Sequence, residues 1–462
     1  MNGLPRKLTI DEWDARYEAL RAAGGLDPAC GGSLRRHVED GDLRLLRLFF
    51  DDSPAALRLW NFLLSEEDRL HALRARGEKI VGAMKDLGTV PVMAYSLPGV
   101  TAFYPDGAWW TPCVMEMSDE LLHEADRLGI DETYCPVRAM LGAFVTRRHF
   151  PVPDLLACSV GATCDDFSAI AQRLNGLGHP ILWWEIPHRR APDEGEPAVL
   201  LPGGGRAPRS QAEFVERELR RVGAVLSRLA GVELDDERLA AGIRRANGIR
   251  RRLRTLRDRV FTAPIAPLPA LEMLIAEMLA IHYCSDPNET ERVLDALLEE
   301  TRRRVAEGVG IAGGDAVRVF WVNPVADLRM MNRLEAAGGR LCGTDFMFGH
   351  ALDELPEDVP PFEALARAAL ADPMVGAAGG RAERIARDAA RFGAEAAVVC
   401  RVPGASHCAT EGGIIAERVR GALGIPLVEI EVPPLGDATA PAAETRLEAL
   451  METARARRKE SR

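Results

Sequence analysis

The chain has 462 residues, 47% of them apolar, and a formal net charge of −11, enough for about three domains with real cores and too acidic for a nucleic-acid partner held by phosphate neutralisation. The start MNGLPRKLTIDEWDARYEAL is polar and then amphipathic, and no uncharged apolar run approaches the ~18 residues of a membrane span, so no membrane association and a cytoplasmic place are expected. Nine cysteines scattered through such a chain are expected as thiols or metal ligands, not as a disulfide framework.

Residues 1–90 are expected to form an N-terminal helical region. Apolar residues recur at helical spacing in DEWDARYEALRAA and LRLLRLFF, and SEEDRLHALRARGEKIVGAM opens on Ser65 and Glu67 like a helix start. Residues 91–209 are expected as a first α/β lobe, with PVMAYSL and DLLACSV as short buried strands, DDFSAIAQRLNGLG as a helix closed by glycine, and HPILWWEIP as the next strand. Strand, helix, strand at that spacing implies a parallel sheet. Residues 210–310 are again helical, through RSQAEFVERELRRVGAVLSRLAG, a long Arg-rich segment, LEMLIAEMLAIHY and NETERVLDALLEETRRRVAEG, interrupted by a turn at TAPIAPLPA. The basic run from Arg250 to Arg254 is expected as a solvated face. Residues 311–440 form a second α/β lobe, with strands at AVRVFWVN, RLCGTDF, AEAAVVCRV and PLVEIEVPP, and residues 441–462 a C-terminal helix. The fold class is therefore α/β: two parallel-sheet lobes with helical packing at the N-terminus and between them.

Three cysteines stand where a strand or loop gives way to a helix: Cys135 in CPVRAMLGAF, Cys164 in ATCDDFSAIAQRL and Cys408 in GASHCATEGGIIAERVRGALGIP. In open parallel sheets ligands collect at the carboxyl ends of strands, where Cys164 and Cys408 lie, so a cleft between the lobes is the natural site. Helix N-termini near Asp165 and Glu411 at that edge favour thiolate. Thiolates converging from three segments suit iron, and three ligands in place of four leave one iron of a cluster open to substrate. Taken alone, the spacing follows no local metal motif, and the three could equally be core residues of a metal-free α/β enzyme. Cys30, Cys158, Cys284, Cys342 and Cys400 are expected as small buried apolar residues. Asp165 and Asp166 could be an acid–base pair, though carboxylates just after a turn more commonly cap the helix. One of Trp183 and Trp184 must face the core if they lie on a strand. His407 is expected on an exposed loop; beside Cys408 it could instead hydrogen-bond a cluster sulfur, replace a ligand or line the substrate pocket. Ser96 and Tyr104 are candidate substrate contacts.

CPVRAMLGAF, then PDLLACSVGATCDD with its helix and WWEIP, and finally SHCATEGGIIAERVRGALGIPLVEIEVPP resemble the 2-hydroxyacyl-CoA dehydratase family, which includes the ATP-dependent benzoyl-CoA reductase subunits. The resemblance spans roughly Leu121 to Pro434 and is sharpest around the three cysteines. It implies two Rossmann-like (flavodoxin-like) lobes plus a helical part, with Cys135, Cys164 and Cys408 holding a [4Fe-4S] cluster in the cleft. It further implies an acyl-CoA substrate and a separate ATP-hydrolysing iron–sulfur activator that delivers one low-potential electron. The cluster would pass that electron to the thioester carbonyl, making a ketyl radical that expels the hydroxyl group. A sister subunit of the same fold, or a homodimer, is the expected partner. This chain accordingly has no G-x-x-x-x-G-K-S/T, and GVGIAG from Gly308 to Gly313 follows a helix, the wrong order for pyrophosphate binding. The chain departs from the family pattern ahead of the first cysteine, in VPVMAYSLPGVTAFYPDGAWWTPCVMEMSDELL, which puts the substrate pocket in question near Cys113 and the pair Trp109 and Trp110. Reduction of an aromatic acyl-CoA, or a non-catalytic accessory subunit, stay open beside dehydration.

Overall fold

The structure, a computed structural model, describes residues 6–39, 43–85, 88–105, 118–147, 149–433 and 437–460. Its frame is two four-stranded sheets whose strands are apolar on both faces, the composition expected when helices cover each side. The first sheet contains β1 (Lys79–Met84), β2 (Val100–Phe103), β3 (Leu155–Gly161) and β4 (Ile181–Ile186), all parallel, in the order β2-β1-β3-β4. The second contains β5 (Val317–Val322), β6 (Gly339–Asp345), β7 (Ala396–Arg401) and β8 (Leu427–Glu431), parallel and in the order β6-β5-β7-β8. The two lobes thus repeat one topology. In each, the strand order reverses between the first and third strands, the switch point at which such sheets bind ligands.

The structure differs from the sequence expectation chiefly in the first sheet, where β2 is absent from the expected strands and two neighbouring segments exchange roles. KIVGAM, read as the end of a helix, is β1, and PVMAYSL, read as a strand, supplies the helix Val90–Tyr95. Short apolar runs carry no decisive period, so their neighbours decide. Gly77 at φ 82 ends the helix Glu66–Ala75 and lets the β-branched pair Ile80 and Val81 extend. Pro91 falls in the first turn of its helix, where the missing N–H costs nothing, whereas in a central strand it would break the ladder.

Helices pack around and between the lobes: Ile10–Ala22, capped by the reciprocal Thr9–Glu12 box, Pro54–Leu64, Arg209–Ala230, Asp236–Thr262, Ala270–His282 and Pro287–Glu307, with Ala440–Glu460 lying against β8. The long helix Asp236–Thr262 buries Leu239, Ile243, Ala246, Ile249, Leu253, Leu256 and Val260 at helical spacing. The basic run on this helix is not uniformly solvated. Arg250 is buried and donates to the Asp353 carbonyl at 2.6 Å, while Arg251, Arg252 and Arg254 face outward onto Glu354 and Asp295. Among the described residues no helix is long and apolar enough to cross a membrane.

Glu272, fully buried on Ala270–His282, illustrates how the helical part is tied to the N-terminal segment. One carboxyl oxygen accepts from the Asp51 backbone N–H at 2.9 Å and from Trp60 Nε1 at 3.1 Å, and the other has no partner among the described residues. Burial, reinforced by the charge of Asp51, pushes this carboxyl from 4.5 up to about 8. A folded-state value raised in this way makes a contribution that is whole below pH 4.5 and is lost as pH rises through about 8. Glu272→Gln removes that loss, so thermal melts of variant and parent should nearly coincide at about pH 5 and separate by a few kcal/mol in favour of the variant at about pH 9. Parallel pH profiles would refute the assignment.

Candidate functional site

Each of the three cysteines is delivered by a chain reversal at the carboxyl edge of a sheet. Cys164 follows β3, with extended backbone at the N-terminus of the helix Asp165–Gly176. Gly161, at φ 98, makes that exit possible, since a Cβ there would stand 2.4 Å from the Ile186 carbonyl oxygen. Cys408 follows β7 in the short helix Ser406–Thr410, ahead of Gly412–Leu423. Cys135 precedes a 3-10 turn opened by Pro136, which runs into Ala139–Thr146. All three line one cavity of about 130 Å³ between the lobes, walled by Met278, Ile281, Phe346 and Met374.

Burial dominates the electrostatics of the cavity. It pushes the Cys135 thiol well above its ordinary 9.0, with the nearby Cys164 adding to the shift. It pushes Cys164 up to about 11, with Asp166 adding, and Cys408 up to about 12, with Arg381 pulling the other way. Three neutral thiols in an apolar recess bind a metal only by giving up their protons to it. Among the described residues no three His, Cys, Asp or Glu side chains stand close enough to share a single ion. Three cysteine sulfurs lining one largely apolar cavity are the donor type that iron–sulfur clusters take, each thiolate on a different iron. The donor set therefore fits such a group.

A polar shell holds the segments in place. Asp166, buried at 6% exposure, accepts from the Cys135 backbone N–H at 3.4 Å through one oxygen, and from the Ser406 N–H and hydroxyl at 3.3 and 3.2 Å through the other. The Cys164 thiol also reaches that second oxygen, at 3.8 Å. Behind Cys408, Asn323 at the end of β5 donates to the carbonyls of Cys400 and Cys408, and Arg381 binds Asn323, Asp345 and Glu411 together. Lys85, the matching residue after β1, lines the cavity and pairs with Asp372 of the second lobe at 3.0 Å, both nearly fully buried. Asn323 and Lys85 share positive φ, 74° and 58°, a conformation Asn tolerates and Lys rarely adopts.

The family described as HGD-D, 2-hydroxyglutaryl-CoA dehydratase, D-component, matches residues 90–454. The chain belongs to this family. It is thus a dehydratase-type component, and the resemblance seen around the three cysteines extends over most of its length. No individual curated protein matched it. The family match begins after β1, so Lys85 lies just outside it.

Within this HGD-D chain the sequence-derived candidates separate into groups. Cys135, Cys164, Cys408 and His407 reach the same cavity. His407 is half-buried on the helix Ser406–Thr410, not exposed on a loop, and burial lowers its pKa. Ser96 and Tyr104 are not among the cavity's lining residues: the Ser96 hydroxyl turns back to the Val92 carbonyl at 2.8 Å, and the buried Tyr104 hydroxyl accepts from the Gly88 N–H. Trp109, Trp110 and Cys113 lie outside the described residues. Cys30, Cys158, Cys284, Cys342 and Cys400 are buried and do not line the cavity, and Trp184 is the core member of its pair. Asp166, the second residue of its helix, does not cap it; it bridges two other segments. Lys85, Asn323 and Arg381 carried no sequence signal, although a strand assigned to KIVGAM would have put Lys85 at the switch point.

Proposed function

We propose that this chain is the cluster-bearing component of a 2-hydroxyacyl-CoA dehydratase-type enzyme, with Cys135, Cys164 and Cys408 as ligands of a [4Fe-4S] cluster. The observation that carries the reading is the convergence of three thiols, from three segments and both lobes, on one apolar cavity at the carboxyl edges of two switch-point sheets. When bound, such a cluster with one iron free of protein ligands supplies one-electron reduction of an acyl-CoA thioester. The chain's own residues supply position and surroundings. Met278, Ile281, Phe346 and Met374 keep water out. Lys85, buried with its counter-charge Asp372, sets a fixed positive charge at the cavity wall, where an oxygen gaining negative charge is stabilised in low dielectric.

The electron comes from a separate ATP-hydrolysing iron–sulfur activator, and a sister subunit of the same fold, or a second copy, completes the enzyme; the "D-component" of the family description suits a chain that works with others. Eight free thiols among the described residues support a reducing, cytoplasmic setting. The test is iron and acid-labile sulfide on protein purified without oxygen, with paramagnetic resonance spectra before and after a 2-hydroxyacyl-CoA. About four irons and four sulfides per chain, with a signal altered by the thioester, are expected. Well-folded, metal-free protein would overturn the reading. A cluster blind to 2-hydroxyacyl-CoA but responsive to an aromatic acyl-CoA would replace dehydration by reduction, and one blind to both would mark an accessory subunit.

A further inference from the structure

The mutual placement of the three thiols depends on contact between the lobes, because two come from the first lobe and one from the second. Two observations identify how that contact is made. The loop after β7 lies directly on the segment before Cys135: a Cβ at Gly404, which has φ 77, would stand 2.3 Å from the Tyr134 carbonyl oxygen. Only glycine permits that approach. At the same seam, one buried carboxylate receives donors from both sides, since Asp166 takes the Cys135 N–H on one oxygen and the Ser406 N–H and hydroxyl on the other. It sits two residues from Cys164, on the helix that Cys164 begins.

We propose that Asp166 is a positioning residue that clasps the two lobes and sets the spacing of Cys135, Cys164 and Cys408 for the cluster. This rests on the cluster reading above. A carboxylate is required because each oxygen serves a different segment. An asparagine has one acceptor oxygen and turns an N–H₂ toward the other pair of donors, so one side of the clasp must open. Groups that orient metal ligands without touching the metal commonly change retention by about 10–100-fold when removed.

Asp166→Asn is compared with the parent in two measurements, with Ser406→Ala as a milder variant that keeps the Ser406 N–H contact. In iron-free protein, iodoacetamide labelling is located by mass spectrometry, with the strand residues Cys158 and Cys400 as reporters of unfolding. In anaerobically reconstituted protein, the half-life of iron under a chelator and the resonance line shape are recorded. The expected result is faster labelling of Cys135 and Cys408 while Cys158 and Cys400 stay protected, iron lost about tenfold faster, an altered line shape, and a smaller change in the same direction for Ser406→Ala. Labelling, half-life and line shape equal to the parent in both variants would overturn the clasp and leave the cluster reading standing. Labelling of Cys158 and Cys400 in Asp166→Asn with no effect of Ser406→Ala would also overturn it, making Asp166 a stability residue. A parent that takes up no iron would overturn the cluster reading and this inference with it.

Discussion

Cys164→Ala yields folded protein with little or no iron. The residue stands at a helix N-terminus with its thiol turned into the cavity, and truncating it removes one sulfur from the cavity wall while the packing of β3 and the helix Asp165–Gly176 stays intact. The cost in stability is that of one small group, about 1 kcal/mol or less. On the ligand set proposed above, the cost to the cluster should be far larger, because a site with three ligands has none in reserve. Cys158→Ala supplies the contrast. That side chain is fully buried inside β3 and does not line the cavity, so its loss leaves a small void worth about 1 kcal/mol and should leave iron and sulfide unchanged. The pair of variants separates ligand from core by metal content: both stay folded at a cost of about 1 kcal/mol in the metal-free state, but only Cys164→Ala loses iron and sulfide. Full iron and sulfide in Cys164→Ala, measured beside the parent from the same anaerobic preparation, would remove Cys164 from the ligand set.

How much of this could be read from the residues depended on range. β3 to β8 announced themselves as apolar runs bounded by Gly and Pro, and the repeat of strand, turn, helix and strand made two parallel sheets the economical arrangement. β1 and the helix after it were exchanged because KIVGAM and PVMAYSL are both too short and too uniformly apolar for period to decide. That exchange hid Lys85, whose interest comes wholly from being the last step off β1. The positions of the cysteines relative to strand ends were visible in the chain, since turns at strand termini have local signatures. The shell around them was not. Asp166 has the sequence context of a helix cap and becomes a bridge only because Cys135 and Ser406 arrive from 31 and 240 residues away. Arg250 has the context of a solvated run and is buried only because the Asp353 carbonyl lies over it. Pairings of that length leave no local pattern.

Arg381→Met carries the largest expected loss of stability in the second lobe. Arg381 is 2% exposed, and each end of its guanidinium is used: Nε to Asp345 at 2.8 Å, Nη1 to Glu411 at 2.8 Å, and Nη2 to Asn323 at 2.6 Å. Methionine fills much of the volume but strands two largely buried carboxylates without their counter-charge, and removal of one partner from such a buried set costs about 3–5 kcal/mol. Denaturant unfolding should show the midpoint falling with little change in slope. The loss should not stop at stability. Arg381 holds the side-chain oxygen of Asn323, and the Asn323 amide holds the Cys400 and Cys408 carbonyls at 2.8 and 3.4 Å. Freed from Arg381, that amide can turn, and the segment bearing Cys408 loses its anchor to β5. Iron retention should therefore fall in Arg381→Met and not in Cys158→Ala. Arg381→Lys separates the two effects: it restores charge near Asp345 and Glu411, recovering part of the stability, but lacks the planar fork that reaches all three partners at once. If Arg381→Met unfolds at the parent's midpoint, the network behind Cys408 is not what holds that edge of the second lobe, and the link from Arg381 through Asn323 to the thiol fails with it.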